Sequence, residues 1–151
     1  MEYVKKLKNL REKNNITQKT VAELLNINQN LYCMYENEYQ VIPLKHLNTL
    51  SNYFNVSLDY LFGFTNKIQY NDICCEINNL VAGKNLKELR KDNKLTQSKL
   101  ATTLNTTQSV IADYERGRYL IATLFLYDIC KKYGISADYL LGKTDSPKFY
   151  K

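Results

Sequence analysis

The sequence predicts an all-α protein made of two tandem five-helix domains joined by a short helical linker. Two observations carry that prediction. The first is internal repetition. Leu7-Lys8-Asn9-Leu10-Arg11 returns as Leu86-Lys87-Glu88-Leu89-Arg90, Thr17-Gln18 as Thr96-Gln97, and Tyr35-Glu36 as Tyr114-Glu115. Ser57-Leu58-Asp59-Tyr60-Leu61-Phe62-Gly63 returns as Ser136-Ala137-Asp138-Tyr139-Leu140-Leu141-Gly142. One constant offset, without a gap, superposes all four pairs, which signals a folded unit made twice. The second observation is that apolar residues recur at helical rather than strand spacing, between residues that start and stop helices. A chain of 151 residues would by length alone be one domain. The repeat divides it into a domain over 1–66, a linker over 67–83, a domain over 84–145 and a tail over 146–151.

The elements follow in order. Val4, Leu7, Leu10 and Arg11 give the spacing of a first helix. Thr17 opens a second, because its hydroxyl can accept from the free N–H groups of a helix start. Val21, Ala22 and Leu25 form the inner face of that helix. In Asn26-Ile27-Asn28 the first Asn suits the left-handed backbone of a tight turn, and Asn28 can cap a third helix over 29–37. Pro43 suits the first turn of a fourth helix, with Leu47, Leu50 and Phe54 on one face. Ser57 caps a fifth, and Gly63 ends it. The second unit repeats these signals over 84–92, 96–104, 108–116, 123–133 and 136–141. Its turn is Asn105-Thr106-Thr107, its inward residues include Leu100, Ala101, Leu104, Leu126, Ile129 and Tyr133, and its closing glycine is Gly142. Between the units, Ile73, Ile77, Leu80 and Val81 follow i, i+4, i+7, i+8. That spacing predicts an amphipathic helix from Asp72 to about Val81, ended by Gly83. The tail after Asp145 is expected to fray.

Composition narrows the function. The chain is 44% hydrophobic and 24% charged, with no apolar run near the roughly 18 residues of a membrane span and no apolar signal-peptide core at its start. A cytoplasmic protein without a membrane partner is expected, and in that setting Cys33, Cys74, Cys75 and Cys130 do not read as a disulfide framework. Net charge is +6, unevenly spread: about +1 over 1–66, about −1 over 67–83 and about +6 over 84–151. Such a basic half suits a polyanionic partner, although a merely soluble basic surface has the same composition. Catalysis has no foothold. His46 is the only histidine, and Phe125 stands at its counterpart, so packing on the fourth helix is its expected role. Adjacent Cys74-Cys75 are poorly placed to share a tetrahedral metal; they read as linker-helix residues or as a redox pair. Asp59 and Asp138 are explained by the helix dipole. No enzyme, cofactor or metal is expected.

Two short helices joined by a three-residue turn describe a helix-turn-helix. The run Leu95-Thr96-Gln97-Ser98-Lys99-Leu100-Ala101, followed by Thr107-Gln108-Ser109-Val110-Ile111-Ala112-Asp113-Tyr114-Glu115-Arg116-Gly117, resembles the phage repressor/Cro (Xre-like) DNA-binding family. Ile135-Ser136-Ala137-Asp138-Tyr139-Leu140-Leu141-Gly142 resembles that family's closing helix. The resemblance covers most of each half. It implies a lambda-repressor-like fold and sequence-specific binding of double-stranded DNA, usually as a dimer, by a transcriptional regulator. It also implies roles. Gln108 matches the base-reading glutamine, whose amide can pair with adenine N6 and N7, while Gln97 matches a glutamine placed against a phosphate at a helix N-terminus. Ser109, Ala112 and Asp113 share the face of Gln108, beside Thr107 at the helix start. Val110, Ile111 and Tyr114 face the core. Arg116 and Arg118 lie in the loop where phosphate would pass. Asp113 departs from the pattern: it either accepts from cytosine N4 or stays solvated. Glu115 beside Arg116 also reads as plain surface charge.

The first unit departs further. Gln18, Asn28, Gln29 and Asn30 keep the DNA-reading pattern. Yet Tyr32 stands where the second unit has Ile111, Met34 where it has Asp113, and Asn37-Glu38-Tyr39 where it has Arg116-Gly117-Arg118. Leu31, Tyr32, Met34 and Tyr35 make its third helix apolar almost all round, as an adaptable protein interface would be. Two readings stay open. Either this unit also binds DNA, or it mediates a homodimer or receives a protein partner, as an antitoxin or adaptor would. Tyr32 also fits a core role in the place of Ile111. The second unit is expected to be the stronger reader.

Overall fold

A computed structural model describes residues 1–68 and 76–147. The chain divides into two compact units, and every regular element among the described residues is an α-helix. The first unit holds α1 (Glu2–Lys13), α2 (Gln18–Leu24), α3 (Gln29–Glu36), α4 (Leu44–Tyr53) and α5 (Leu58–Phe62). The second holds α6 (Asn79–Asp92), α7 (Gln97–Thr103), α8 (Gln108–Glu115), α9 (Thr123–Tyr133) and α10 (Ala137–Leu140). Among the described residues no helix is long and apolar enough to cross a membrane.

The caps act as their chemistry dictates. Thr17, Asn28, Ser57, Thr96 and Ser136 each accept a hydrogen bond from a backbone N–H of the helix that follows. Pro43 sits one residue before α4, where its missing N–H costs nothing. Asn26 and Asn105, in the two helix-turn-helix turns, both adopt a φ of 56°, the left-handed conformation for which asparagine is suited. In the first unit α1 packs on α3 and α5 and α4 packs on α5, with Leu7, Leu47, Leu50, Leu58 and Leu61 fully buried. In the second, α6 packs on α8 and α10 and α9 packs on α10, with Leu86, Ile111, Leu126, Ile129 and Leu140 fully buried. Val110 and Tyr114, expected on the core side, are only half-buried; Ile111 alone of the three is fully enclosed.

The linker differs from expectation. Asp72 to Cys75 lie outside the described residues, and Glu76 to Asn78 are not helical. The helix begins at Asn79 and runs through Gly83 without a break. Asn78 is the reason. Its Oδ1 accepts from the N–H groups of Leu80 at 3.0 Å and Val81 at 3.1 Å, so it caps a new helix in the middle of the apolar pattern. Leu80 and Val81 therefore open the first helix of the second unit. Gly83 does not stop a helix either. It is buried, and a Cβ built on it would lie 2.5 Å from the Glu115 carbonyl oxygen and 2.6 Å from that of Tyr114. Only glycine lets α6 approach α8 so closely. The edges of the units are also held. Ser57 N–H donates to the Ile68 carbonyl at 2.7 Å, and Ser136 N–H to the Pro147 carbonyl at 3.0 Å. The tail expected to fray is thus anchored as far as Pro147.

Candidate nucleic-acid interface

The interface is built on α7, α8 and the loop after them. Leu100 and Ala101 turn inward from α7, and Ile111 from α8. This leaves the opposite face of α8 in solvent. Thr107, Gln108 and Ser109 are exposed at its N-terminus, and Ala112 and Asp113 are half-buried further along. Thr107 occupies the cap position but its side chain makes no capping bond. Arg116 and Arg118 are exposed. The structure thus brings together the second-unit residues expected to meet DNA.

A polar chain runs beneath this face, and the sequence reading missed it. Arg90 of α6 donates through Nε to Glu115 Oε1 at 2.5 Å and through Nη2 to Oε2 at 3.4 Å, while its Nη1 donates to the Leu95 carbonyl at 2.9 Å. Gln97 Nε2 donates to Glu115 Oε2 at 2.5 Å. That fixes which end of the Gln97 amide points outward. Its Oε1 accepts from Gln108 Nε2 at 3.5 Å, and Gln108 Oε1 accepts from the Ser98 hydroxyl at 3.2 Å. The amide of Gln108 thus lies with its nitrogen towards Gln97 and its oxygen towards Ser98. The Arg90 and Glu115 side chains are only 12% and 4% exposed, so Glu115 is not surface charge. Removing one partner of such a pair strands a buried charge, at a cost of about 3–5 kcal/mol. One signal was available: both residues are retained, at the same spacing, in both copies.

The first unit keeps the inner half of this chain. Arg11 Nε and Nη2 donate to Glu36 at 2.6 and 3.1 Å, Nη1 donates to the Ile16 carbonyl at 3.0 Å, and Gln18 Nε2 donates to Glu36 at 2.8 Å. Burial pushes the Glu36 carboxyl up, but the hydrogen bonds from Arg11 and Gln18 outweigh it and hold the group below its ordinary value. The hydrogen bond to Glu36 raises the Arg11 guanidinium in return. The outer half is absent. Lys19 stands in the place of Ser98, and among the described residues no side-chain hydrogen bond joins Gln18 or Lys19 to Gln29. Asn28 spends its Oδ1 on the Leu31 N–H, at 2.8 Å, as a helix cap. Gln29 and Asn30 are exposed.

Two of the four residues suggested as an interface are not on the surface. Tyr32 and Tyr35 are 1% and 2% exposed. Tyr32 fills the place that Ile111 fills in the second unit, with its phenol pushed up by burial and by the Glu36 charge. Tyr35 packs edge-on against Tyr32, with ring centroids 6.4 Å apart. Its hydroxyl meets His46 Nδ1 at 3.2 Å, and burial together with Lys45 lowers the imidazole. His46 is thus the packing residue expected; Tyr114 and Phe125 make the matching contact in the second unit at 5.2 Å. An apolar stretch on a short helix is read equally well as core or as interface, and here core wins for the tyrosines. Leu31 and Met34 remain half-buried. Among the described residues, no group of His, Cys, Asp or Glu has a metal-binding arrangement.

These features define a pair of helix-turn-helix units, each with a part-buried Arg–Glu–Gln cluster under the exposed face of its third helix. The chain belongs to the helix-turn-helix domain family, whose model matches residues 4–65 and again 83–146. This agrees with the phage repressor/Cro resemblance in both copies. It is similar to the HTH-type transcriptional regulator ImmR of Bacillus subtilis (strain 168), with 36% identity over 95 residues, 63% of this chain and 73% of that protein. It is also similar to the immunity repressor protein of Bacillus phage phi105, 34% identical over 64 residues, or 42% of this chain and 44% of that one. A third relative is antitoxin PezA of Streptococcus pneumoniae serotype 4 (strain ATCC BAA-334 / TIGR4), 33% identical over 61 residues. That match spans 40% of this chain and 39% of the antitoxin. No solved structure matches significantly.

Proposed function

We propose that this protein is a sequence-specific, double-stranded-DNA-binding transcriptional regulator of the repressor kind, in which the second unit is the stronger reader. The observation that carries the proposal is the Gln108 amide, exposed at the start of α8 and in contact with Gln97 and Ser98. A side chain there reaches base edges when the helix lies in the major groove, and a glutamine amide suits adenine N6 and N7. Gln97 contributes differently from the expected phosphate contact. Its side chain is held by Glu115 and positions Gln108, which leaves the start of α7 to meet phosphate through its backbone N–H groups. Arg116 supplies a cation alongside, as does the excess positive charge of the second half, and Arg118 lies in the same loop. The names of ImmR and the phi105 immunity repressor support the regulatory reading.

The full-length chain tests this proposal with Gln108→Ala and Gln29→Ala titrated against duplex DNA by fluorescence anisotropy. Gln108→Ala is expected to weaken a preferred site by about 1–3 kcal/mol, and Gln29→Ala by much less. Equal losses would remove the preference for the second unit.

A second reading assigns the first unit to a protein contact, as in an antitoxin, and one observation favours it. Leu24 and Tyr53 are 40% and 48% exposed beside Ile16 and Val21, forming an apolar groove on that unit. The second unit has Thr103 and Lys132 at the positions of Leu24 and Tyr53. A Leu24→Glu chain compared with the parent and with Met34→Glu by light scattering tests self-association through this face. An unchanged mass in both variants would exclude it.

A further inference from the structure

Asp113 and Arg118 form an ion pair on the face proposed to meet DNA. Asp113 lies on the reading face of α8, five residues after Gln108, with its side chain 24% exposed. A carboxylate there opposes the approach of phosphates. In this structure it faces Arg118, whose Nη1 lies 3.6 Å from Asp113 Oδ1. The Arg118 N–H donates to the Asp113 carbonyl at 3.0 Å, as the Tyr39 N–H does to the Met34 carbonyl at 2.9 Å in the first unit, so the shared loop fold brings these two positions together whichever side chains they carry. The guanidinium also lies 5.5 Å from the Tyr119 ring, with the side chain 63% exposed. The repeat supplies an internal comparison. At the equivalent positions the first unit has Met34 and Tyr39, so both charges are absent together from the copy that also lacks Arg116.

We infer that Asp113 and Arg118 act as a partner-exchange pair that sets sequence selectivity: Asp113 withholds Arg118 from DNA phosphates except where the operator offers a cytosine N4 amine to Asp113. The inference rests on the second unit being a DNA reader. On a random duplex the paired carboxylate and guanidinium present no net charge to the backbone, so Arg118 releases no counterion. At a site with cytosine opposite Asp113, the carboxylate accepts from the N4 amine. Arg118 is then free to take a phosphate. The energetics permit the exchange. A solvent-accessible ion pair is worth little, because water and salt screen it, whereas a base pairing and a phosphate contact are both gained on the operator. A pair buried like Arg90–Glu115 could not be traded in this way. Asp113 is thus a selectivity residue that acts largely through Arg118.

The test is a double-mutant cycle in the full-length protein: wild type, Asp113→Asn, Arg118→Ala and the combination. Each is titrated against a random-sequence duplex and a selected operator over a series of salt concentrations, with circular dichroism confirming the helical fold. Asp113→Asn is expected to raise affinity for the random duplex about three- to tenfold at low salt and to steepen the log–log salt slope by about one. Its amide oxygen is an uncharged and weaker acceptor for cytosine N4, so discrimination at one C·G base pair is also expected to fall. In the Arg118→Ala background the same substitution is expected to leave the salt slope unchanged. An equal gain with and without Arg118 would overturn the proposal, because Asp113 would then act by direct repulsion. No gain in either background would also overturn it, because the carboxylate would then face away from the duplex. A wild-type chain that binds no duplex would instead refute the DNA-binding reading, and this inference with it.

Discussion

Replacing Gly83 by alanine adds one carbon where α6 closely approaches α8. The new Cβ would sit 2.5 Å from one backbone carbonyl oxygen of α8 and 2.6 Å from the next. Neither oxygen belongs to a side chain that can rotate away, so the helices must separate by at least half an ångström to reach the closest contact real Cβ atoms show. Such overpacking costs about 1–3 kcal/mol. Alanine returns up to about 1 kcal/mol through its better helix propensity. With two rigid carbonyls in the way, the expected net loss is about 1–2 kcal/mol, which lowers the melting temperature by roughly 5–15 °C for a unit of this size. The displacement also moves Glu115, and with it Gln97 and Gln108, so affinity for duplex DNA falls together with stability. Differential scanning calorimetry reads the first effect and anisotropy the second. Gly134→Ala is the control. It forces a side chain into a left-handed backbone with a φ of 64°, but its Cβ meets nothing within 4 Å, so it costs stability without touching DNA affinity. A Gly83→Ala protein that melts higher than the parent would refute the reasoning, because alanine stabilises an uncrowded helix interior.

Two further outcomes follow from the buried ion pairs. Glu36 has a folded-state pKa below its ordinary value. Its contribution to stability is therefore complete above the unfolded carboxylate value of about 4.3 and is lost as pH falls through the lower folded value. In urea denaturation across pH 2 to 7, Glu36→Gln is expected to be less stable near neutrality and to show a shallower acid limb; an acid limb parallel to the parent's would contradict the assignment. Arg90→Ala is expected to cost about 3–5 kcal/mol by stranding Glu115, whereas Arg90→Met with Glu115→Met recovers most of that loss. If the double variant is no more stable than Arg90→Ala, the penalty does not come from the unpaired charge.

Much of the fold was legible in the sequence because its signals are local. Thr17, Ser57, Thr96 and Ser136 cap helices within three residues of themselves, and Asn26 and Asn105 mark turns by their own backbone preference. The exposure of Gln108 likewise follows from helical spacing around Ile111. What was misread depends on contacts between distant residues. The apolar series Ile73, Ile77, Leu80, Val81 continues past Asn78, so periodicity alone hid the helix start that the Asn78 side chain creates. Gly83 read as a stop because a glycine's neighbours in space are not written beside it. Arg90 and Glu115 lie on different helices, and only their joint retention in both copies pointed to a pair. Tyr32 and Tyr35 show the limit of composition: a tyrosine-rich helix face is the same string whether it meets a partner or its own core.

The central claim is that the second unit reads duplex DNA through Gln108. Selection of binding sites from random duplex DNA, with the full-length protein and its Gln108→Ala variant in parallel, tests it most directly. The wild-type protein is expected to recover a defined motif containing an adenine, and the variant to recover the same motif with that one base pair relaxed. Failure of the wild-type protein to enrich any motif, or an identical motif from both proteins, would contradict the account.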